Sequence, residues 1–255
     1  MIKRTWIERV CFPEYDFGGY TRRDGTVAFY SRVHSLLRPD SVVLDIGCGR
    51  GEYADDSIAL RRHLRILKPH CSRVIGLDPD PDAERNPFIH AFFLLRGDTW
   101  PVPDASIDLC LADWVLEHVA EPDRFFAECA RVLKPDGVLA ARTTNAASPL
   151  GLASRIVPNR MHAGLLRKLG SGRKEADVFA TLHRCNRGAA LRRLLKKHQF
   201  VATVQHHEAE PVYLRRSTWS YLLEFLYLRL APARWQYTIF LFARKRETTA
   251  PTTDR

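Results

Sequence analysis

Residues 43–53, VLDIGCGRGEY, set Gly47, Gly49 and Gly51 directly behind a β-branched run. A glycine loop at the end of a strand lets the backbone turn tightly and approach a ligand closely. The dinucleotide fingerprint is G-x-G-x-x-G. Here Glu52 stands where its third glycine would be, which weighs against a nicotinamide cofactor. No G-K-[ST] follows, so a P-loop is excluded. The acids nearby sharpen the pattern. Asp45 interrupts a strand where an apolar side chain is the default, and Asp78, Asp98 and Asp113 each close a further apolar run. An acid ending the second strand is placed to reach a ribose diol in doubly wound folds. Four carboxylates at four successive strand ends line one crevice beside the glycine loop.

Alternating strands and helices are needed to hold these residues there. Segments 41–46, 73–77, 91–95, 107–112 and 138–143 read as strands. Between them, Ala54, Ile58, Leu60, Leu64 and Leu67 predict a helix over about residues 50–67, stopped by Pro69. Phe125, Phe126, Cys129, Val132 and Leu133 give residues 122–133 one apolar face. The turn 134–137 separates that helix from the fifth strand. Such alternation predicts an α/β fold: a Rossmann-like, doubly wound, mostly parallel sheet with helices on both faces. Further on, residues 188–198 and 217–230 read as helices and 200–206 and 235–243 as strands. The expected organisation is one domain over residues 1–246: an N-terminal lid or helix to residue 40, a ligand-binding core over 41–145, and a basic elaboration over 146–246. A polar tail, 247–255, follows.

Charge divides the chain unevenly. Residues 1–150 hold 19 Lys and Arg against 22 Asp and Glu, whereas residues 151–255 hold 20 against 7, a net +13. A one-sided basic region suits an anionic partner: an acidic substrate, a membrane surface or RNA. Six cysteines without a C-x-x-C pair argue against a disulfide framework and a zinc site, and no His, Asp and Cys cluster has metal-ligand spacing. The start, MIKRTWIERV, lacks the apolar core of a signal peptide, so a cytoplasmic protein is expected. Residues 219–243 are rich in Leu, Phe, Tyr and Trp, but Glu224, Arg229, Pro232 and Arg234 interrupt them. A helix and edge strand packed on the sheet is the primary reading, and an interfacial face peripheral to the inner side of a membrane is the alternative.

Taken in order, the motifs resemble the class I S-adenosylmethionine-dependent methyltransferases of the type 11 group. Residues 43–51 are similar to motif I, and 74–78 to the acid-ended second strand. Residues 97–107, GDTWPVPDASI, resemble G-D-x-x-x-L-P-F-P-D-x-S-F. Residues 113–119, DWVLEHV, resemble x-x-V-L-E-H-V, and 133–137, LKPDG, match the usual turn. The resemblance covers about residues 40–145. It implies S-adenosyl-L-methionine as cofactor, with Asp45, Gly47, Gly49 and Gly51 around its amino acid half. It puts Asp78 on both ribose hydroxyls, Asp98 and the Thr99 backbone at the adenine edge, and Asp113 and Trp114 near the methionine moiety. An aromatic face beside a sulfonium is favourable.

Methyl transfer needs alignment above all, and a base only where the acceptor keeps its proton at neutral pH. His118, behind Glu117 at the crevice mouth, is the first candidate base; His162 and His183 are further ones. Tyr20 and Arg23 precede a helix containing Phe29, Tyr30, Val33, Leu36 and Leu37 and are candidates for a lid. Arg160, Arg173 and their basic neighbours over 155–197 are expected to recognise an anionic group on the acceptor. The expected activity is metal-independent O-methylation of a small-molecule, glycan or lipid-linked acceptor. The alternatives are an RNA or protein methyltransferase, so nucleic acid stays open as a partner, and a non-catalytic S-adenosylmethionine-binding protein.

Overall fold

The computed structural model describes residues 5–97, 99–149, 151–152, 181–215 and 217–246. Its helices are α1 (Trp6–Cys11), α2 (Gly25–Leu36), α3 (Ala59–Arg65), α4 (Pro122–Val132), α5 (Gly188–Lys197) and α6 (Thr218–Leu230). Its strands are β1 (Val42–Ile46), β2 (Arg73–Asp78), β3 (Ala91–Leu94), β4 (Ile107–Asp113), β5 (Leu133–Thr144), β6 (Phe200–His207) and β7 (Thr238–Lys245). They form one sheet of order β3-β2-β1-β4-β5-β7-β6, parallel from β3 to β5, with β7 antiparallel to both neighbours. This is the doubly wound, Rossmann-like, mostly parallel sheet that the alternation predicts.

Side chains alternate across the strands and so feed two cores. On one face Leu44, Ile46, Ile75 and Leu77 pack with Phe126 and Cys129 of α4 and Leu191 and Leu195 of α5. On the other, Val43, Val74, Leu109 and Phe240 pack with Phe29, Tyr30 and Val33 of α2. The apolar stripes of α4 and α5 thus lie inward as their spacing predicts. Asp24 caps α2 by accepting from Thr26 N and Val27 N at 2.9 and 3.0 Å.

Four local expectations change. The helix expected over about 50–67 is a 3-10 turn, Glu52–Asp55, followed by the short α3. Asp56 breaks it: its carboxylate accepts from Ile58 N and Arg61 Nη2, and its carbonyl from Arg62 Nη1. These bonds favour a turn over continued helix. The turn expected at 134–137 is part of β5, with Asp136 at φ +61°. The last strand is no edge strand, because β7 is held on both sides and β6 is the edge. It also starts later than expected, since Trp235 belongs to a 3-10 turn, Ala233–Trp235. The tail 247–255 and much of the basic segment, with Arg160 and Arg173, lie outside the described residues.

Packing over β2 is tight at Gly76, where a Cβ would stand 2.7 Å from Cys48 Sγ of the glycine loop and 2.9 Å from Ile89 Cδ1. Gly76→Ala is expected to destabilise the protein by about 1–3 kcal/mol. A urea titration followed by circular dichroism measures this, and the wild-type midpoint in the variant would contradict it.

Candidate active site

The glycine loop leaves β1 with Gly47, Gly49 and Gly51 all at positive φ, +67°, +54° and +86°. A side chain would also collide here. A Cβ on Gly47 would lie 2.6 Å from Val115 Cγ2, and one on Gly51 would lie 3.0 Å from Asn86 Oδ1. The loop is fastened from below. Gly47 N donates to Leu77 O at 2.7 Å, and Gly49 N donates to Asp78 Oδ2 at 3.0 Å. Asn86, which is buried, donates through Nδ2 to Cys48 O and Gly49 O at 3.0 and 3.2 Å. Asp78 Oδ1 accepts from Asp80 N at 2.8 Å. Its two oxygens are therefore aimed by backbone donors, and each keeps acceptor capacity for another hydroxyl.

Asp45 lies within β1, opposite Gly76 and Leu111 in register. Among the described residues it accepts no hydrogen bond, and it is half-buried. Burial, then the charges of Asp113 and Asp78, push its carboxyl up to about 7. An acid held this way favours an approaching cation.

Asp113, at the end of β4, has partners that the sequence did not suggest. Arg142 of β5 forks onto it, with Nε to Oδ1 at 2.6 Å and Nη2 to Oδ2 at 2.7 Å. Tyr30 donates to Oδ2 at 3.0 Å, and Arg142 Nη1 donates to Thr26 Oγ1 at 3.0 Å. The guanidinium lies over the Trp114 ring, 5.0 Å from its centroid. Trp114 takes φ +60°, and its N donates to Arg142 O at 2.8 Å. The pair therefore joins β4, β5 and α2 and sets the backbone of Trp114.

Beyond Trp114 the chain turns through Glu117 and His118, where His118 N donates to Val115 O. Glu117 is buried, its carboxylate accepts from Thr143 Oγ1 at 2.8 Å, and burial pushes its carboxyl up. The Glu117 carbonyl accepts from Leu182 N and His183 N, at 2.7 and 3.1 Å. His183 Nδ1 lies 3.3 Å from Thr144 Oγ1. His118 and His183 are thus gathered at the carboxyl ends of β4 and β5, while His162 lies outside the described residues. Asp98 also lies outside them, beyond the end of β3 at Leu94; Thr99 is exposed in a bend. The loop after Thr99 is tied down by Arg131, which reaches Trp100 O, Val102 O, Asp104 and Glu128. Arg23 is engaged in packing: it pairs with Glu208 at 2.7 Å and lies over the rings of Phe12 and Phe225.

Sequence reasoning missed Arg142, Tyr30 as the partner of Asp113, and Asn86. An arginine in the middle of an apolar strand was a signal for the first, since a buried charge requires a partner.

Residues 44–141 match the sequence model of a family described as a methyltransferase domain. A protein of Mycolicibacterium smegmatis named a probable S-adenosylmethionine-dependent methyltransferase is 34% identical over 133 residues. That match covers 49% of this chain and 46% of the relative. Residues 44–141 thus resemble the domain of S-adenosylmethionine-dependent methyltransferases. An uncharacterized methyltransferase of Mycolicibacterium vanbaalenii is 30% identical over 170 residues, covering 63% of this chain and 59% of the relative. The chain spans about half the length of the curated relatives it matches. The fold is shared with an S-adenosylmethionine-dependent methyltransferase of Archaeoglobus fulgidus. The TM-score is 0.55 at 17% identity, over 91% of this chain and 97% of that one. It is also shared with the geranyl diphosphate C-methyltransferase of Streptomyces coelicolor solved with Mg2+, geranyl diphosphate and S-adenosylhomocysteine. There the TM-score is 0.53 at 16% identity, over 87% and 78% of the two chains.

Residues 44–141 fit S-adenosylmethionine on their own geometry. The loop forms a cradle that a Cβ would fill, Asp78 is aimed and retains acceptor capacity, and Asp45 has no hydrogen-bond partner among the described residues. The raised Asp45 also carries a stability consequence. Its folded pKa of about 7 exceeds its ordinary value of 3.8, so its contribution to stability is full below pH 4 and is lost as pH rises through 7. Asp45→Asn is expected to stabilise the ligand-free protein at pH 8 by on the order of 1–4 kcal/mol, with little gain at pH 4. Urea unfolding at both pH values measures the difference, and an equal effect at both would contradict the assignment.

Proposed function

We propose that the chain transfers the methyl group of S-adenosylmethionine to a hydroxyl of a small-molecule, glycan or lipid-linked acceptor. The observation that carries the reading is Asp45 and Asp78 flanking the glycine cradle, with two histidines gathered across the same strand ends. When bound, S-adenosylmethionine supplies an electrophilic methyl group on a positively charged sulfur. Gly47, Gly49 and Gly51 let the backbone lie against its amino acid half. Ionised Asp45 attracts the ammonium, and Asp78 accepts from the ribose hydroxyls. Asp98 and Thr99 belong at the adenine edge. Trp114, beside Asp113, presents an aromatic face toward the methionine moiety. His118 takes the acceptor's proton, with His183 as the second candidate. The basic residues over 155–197 are suited to an anionic group on the acceptor, because arginine pairs with phosphate at two points.

Calorimetry should show S-adenosylmethionine or S-adenosylhomocysteine binding, and no NAD binding. Asp78→Ala is expected to weaken that binding by about 1–3 kcal/mol, through hydrogen bonds left unmade. Wild-type affinity is expected to rise as pH increases through about 7, where Asp45 ionises, and Asp45→Asn is expected to flatten that dependence. Binding of NAD with none of S-adenosylmethionine would overturn the cofactor assignment.

The acceptor is found by incubating the protein with methyl-labelled S-adenosylmethionine and separate lipid, glycan, RNA and protein fractions. Label in lipid or glycan supports the proposal, and label in RNA or protein replaces it. With an acceptor in hand, His118→Ala is expected to lower turnover by about 10²–10⁴-fold while leaving cofactor affinity nearly unchanged. Unchanged turnover removes His118 as the base.

A further inference from the structure

One face of α6 is apolar and, among the described residues, uncovered. Trp219, Leu223, Leu226 and Leu230 are 81%, 65%, 49% and 77% exposed. Their spacing of four, three and four puts them on one stripe of the helix. The opposite side is fixed inward by Tyr221, Glu224 and Leu228, all buried. Helix α1 contacts α6, the ring of Phe12 just beyond α1 lies 5.6 Å from that of Phe225, and α1 too exposes Trp6 and Val10. Among the described residues no helix is long and apolar enough to cross a membrane. The thirteen residues of α6 run for only about 20 Å.

The helix and the turn after it, residues 218–235, carry two arginines and a single carboxylate, Glu224. That carboxylate is turned inward, accepting from the backbone N–H groups of Val212, Tyr213 and Leu214. Arg229 on α6 and Arg234 in the following turn are exposed, and Arg234 lies beside the half-exposed Trp235.

We infer that α6 is an in-plane docking helix for an anionic lipid bilayer. An apolar stripe of this length, flanked by arginines and bracketed by tryptophans, matches the interface between acyl chains and headgroups. A second copy of the chain is the poorer occupant. Pairing two such faces would set Arg229 and Arg234 near their own kind, with no surface carboxylate of α6 to receive them.

The test is co-sedimentation of the full chain with phosphatidylcholine vesicles, with and without about one-third phosphatidylglycerol. The protein is expected to pellet with the anionic vesicles, less so at high salt. The double variant Leu223→Gln/Leu230→Gln should lower the partition about tenfold or more. Arg229→Glu/Arg234→Glu should lower it comparably, and only on anionic vesicles. These side chains are exposed, so wild-type circular dichroism and melting are expected. As a check that needs no variant, brominated acyl chains should quench the tryptophan fluorescence of the wild-type protein. Failure of the wild-type protein to pellet, or pelleting indifferent to both double variants, would overturn the inference. So would a dimer in ultracentrifugation that Leu223→Gln/Leu230→Gln dissolves while no lipid binding is found. None of these readouts requires methyl transfer, so the outcome is independent of the proposed activity.

Discussion

The ion pair between Arg142 and Asp113 is the interaction on which the site geometry rests. Taking a guanidinium and a carboxylate out of water is costly, and their attraction offsets that cost only with good geometry and further hydrogen bonds. Both conditions hold here: the contact is two-pronged, and Tyr30 and Thr26 supply additional bonds. Removing either partner of such a pair costs about 3–5 kcal/mol, because the other is left charged and buried. The pair therefore acts as a clamp. It fixes the ends of β4 and β5 against each other and draws α2 across them. It also holds Trp114 in a left-handed conformation that a bulky residue adopts only when its surroundings demand it.

The clamp also decides the electrostatics of the crevice. Asp113, Asp45 and Asp78 stand at neighbouring strand ends, and three unpaired carboxylates there would repel strongly. Arg142 neutralises one of them, and backbone N–H groups of Gly49 and Asp80 support Asp78. Asp45 has neither kind of partner among the described residues, and burial first, then the charges of Asp113 and Asp78, raises its pKa. On the proposed function that uncompensated acid would receive a cation, and the stability it costs is offset by the two cores on either side of the sheet.

What the sequence reveals follows from the range of the interactions. Strand order along the chain, the inward stripes of α4 and α5, and the acids at strand ends depend on local periodicity, and they are legible from the residues alone. Partners far apart in sequence are not. Tyr30 meets Asp113 across 83 positions, and Asn86 meets Cys48 across 38. Local pattern also fails at Asp56, where apolar spacing predicts one helix and a single carboxylate capturing nearby donors divides it into a 3-10 turn and the short α3. The position of β7 inside the sheet has no local signature either, because its alternation is the same whether it lies at an edge or between two strands.

The uncovered face of α6 follows from how the helix is anchored. Glu224 holds the backbone of residues 212–214, and Gln236 donates to Leu228 O at 2.7 Å, so rotation about the helix axis would break buried polar contacts at both ends. The leucines cannot turn inward without that loss, and the stripe is a fixed consequence of the fold. The turn that follows is fastened in its turn to the site. Asn145, immediately after β5, donates to Arg234 O and Gln236 O at 2.8 Å each, and its own N donates to Tyr237 O. Next to it, Thr144 meets His183. One strand end therefore carries a candidate base on one side and the edge of the exposed face on the other. A lipid-borne acceptor, which the proposed function allows, would give the apolar stripe and the arginines beside it a common use.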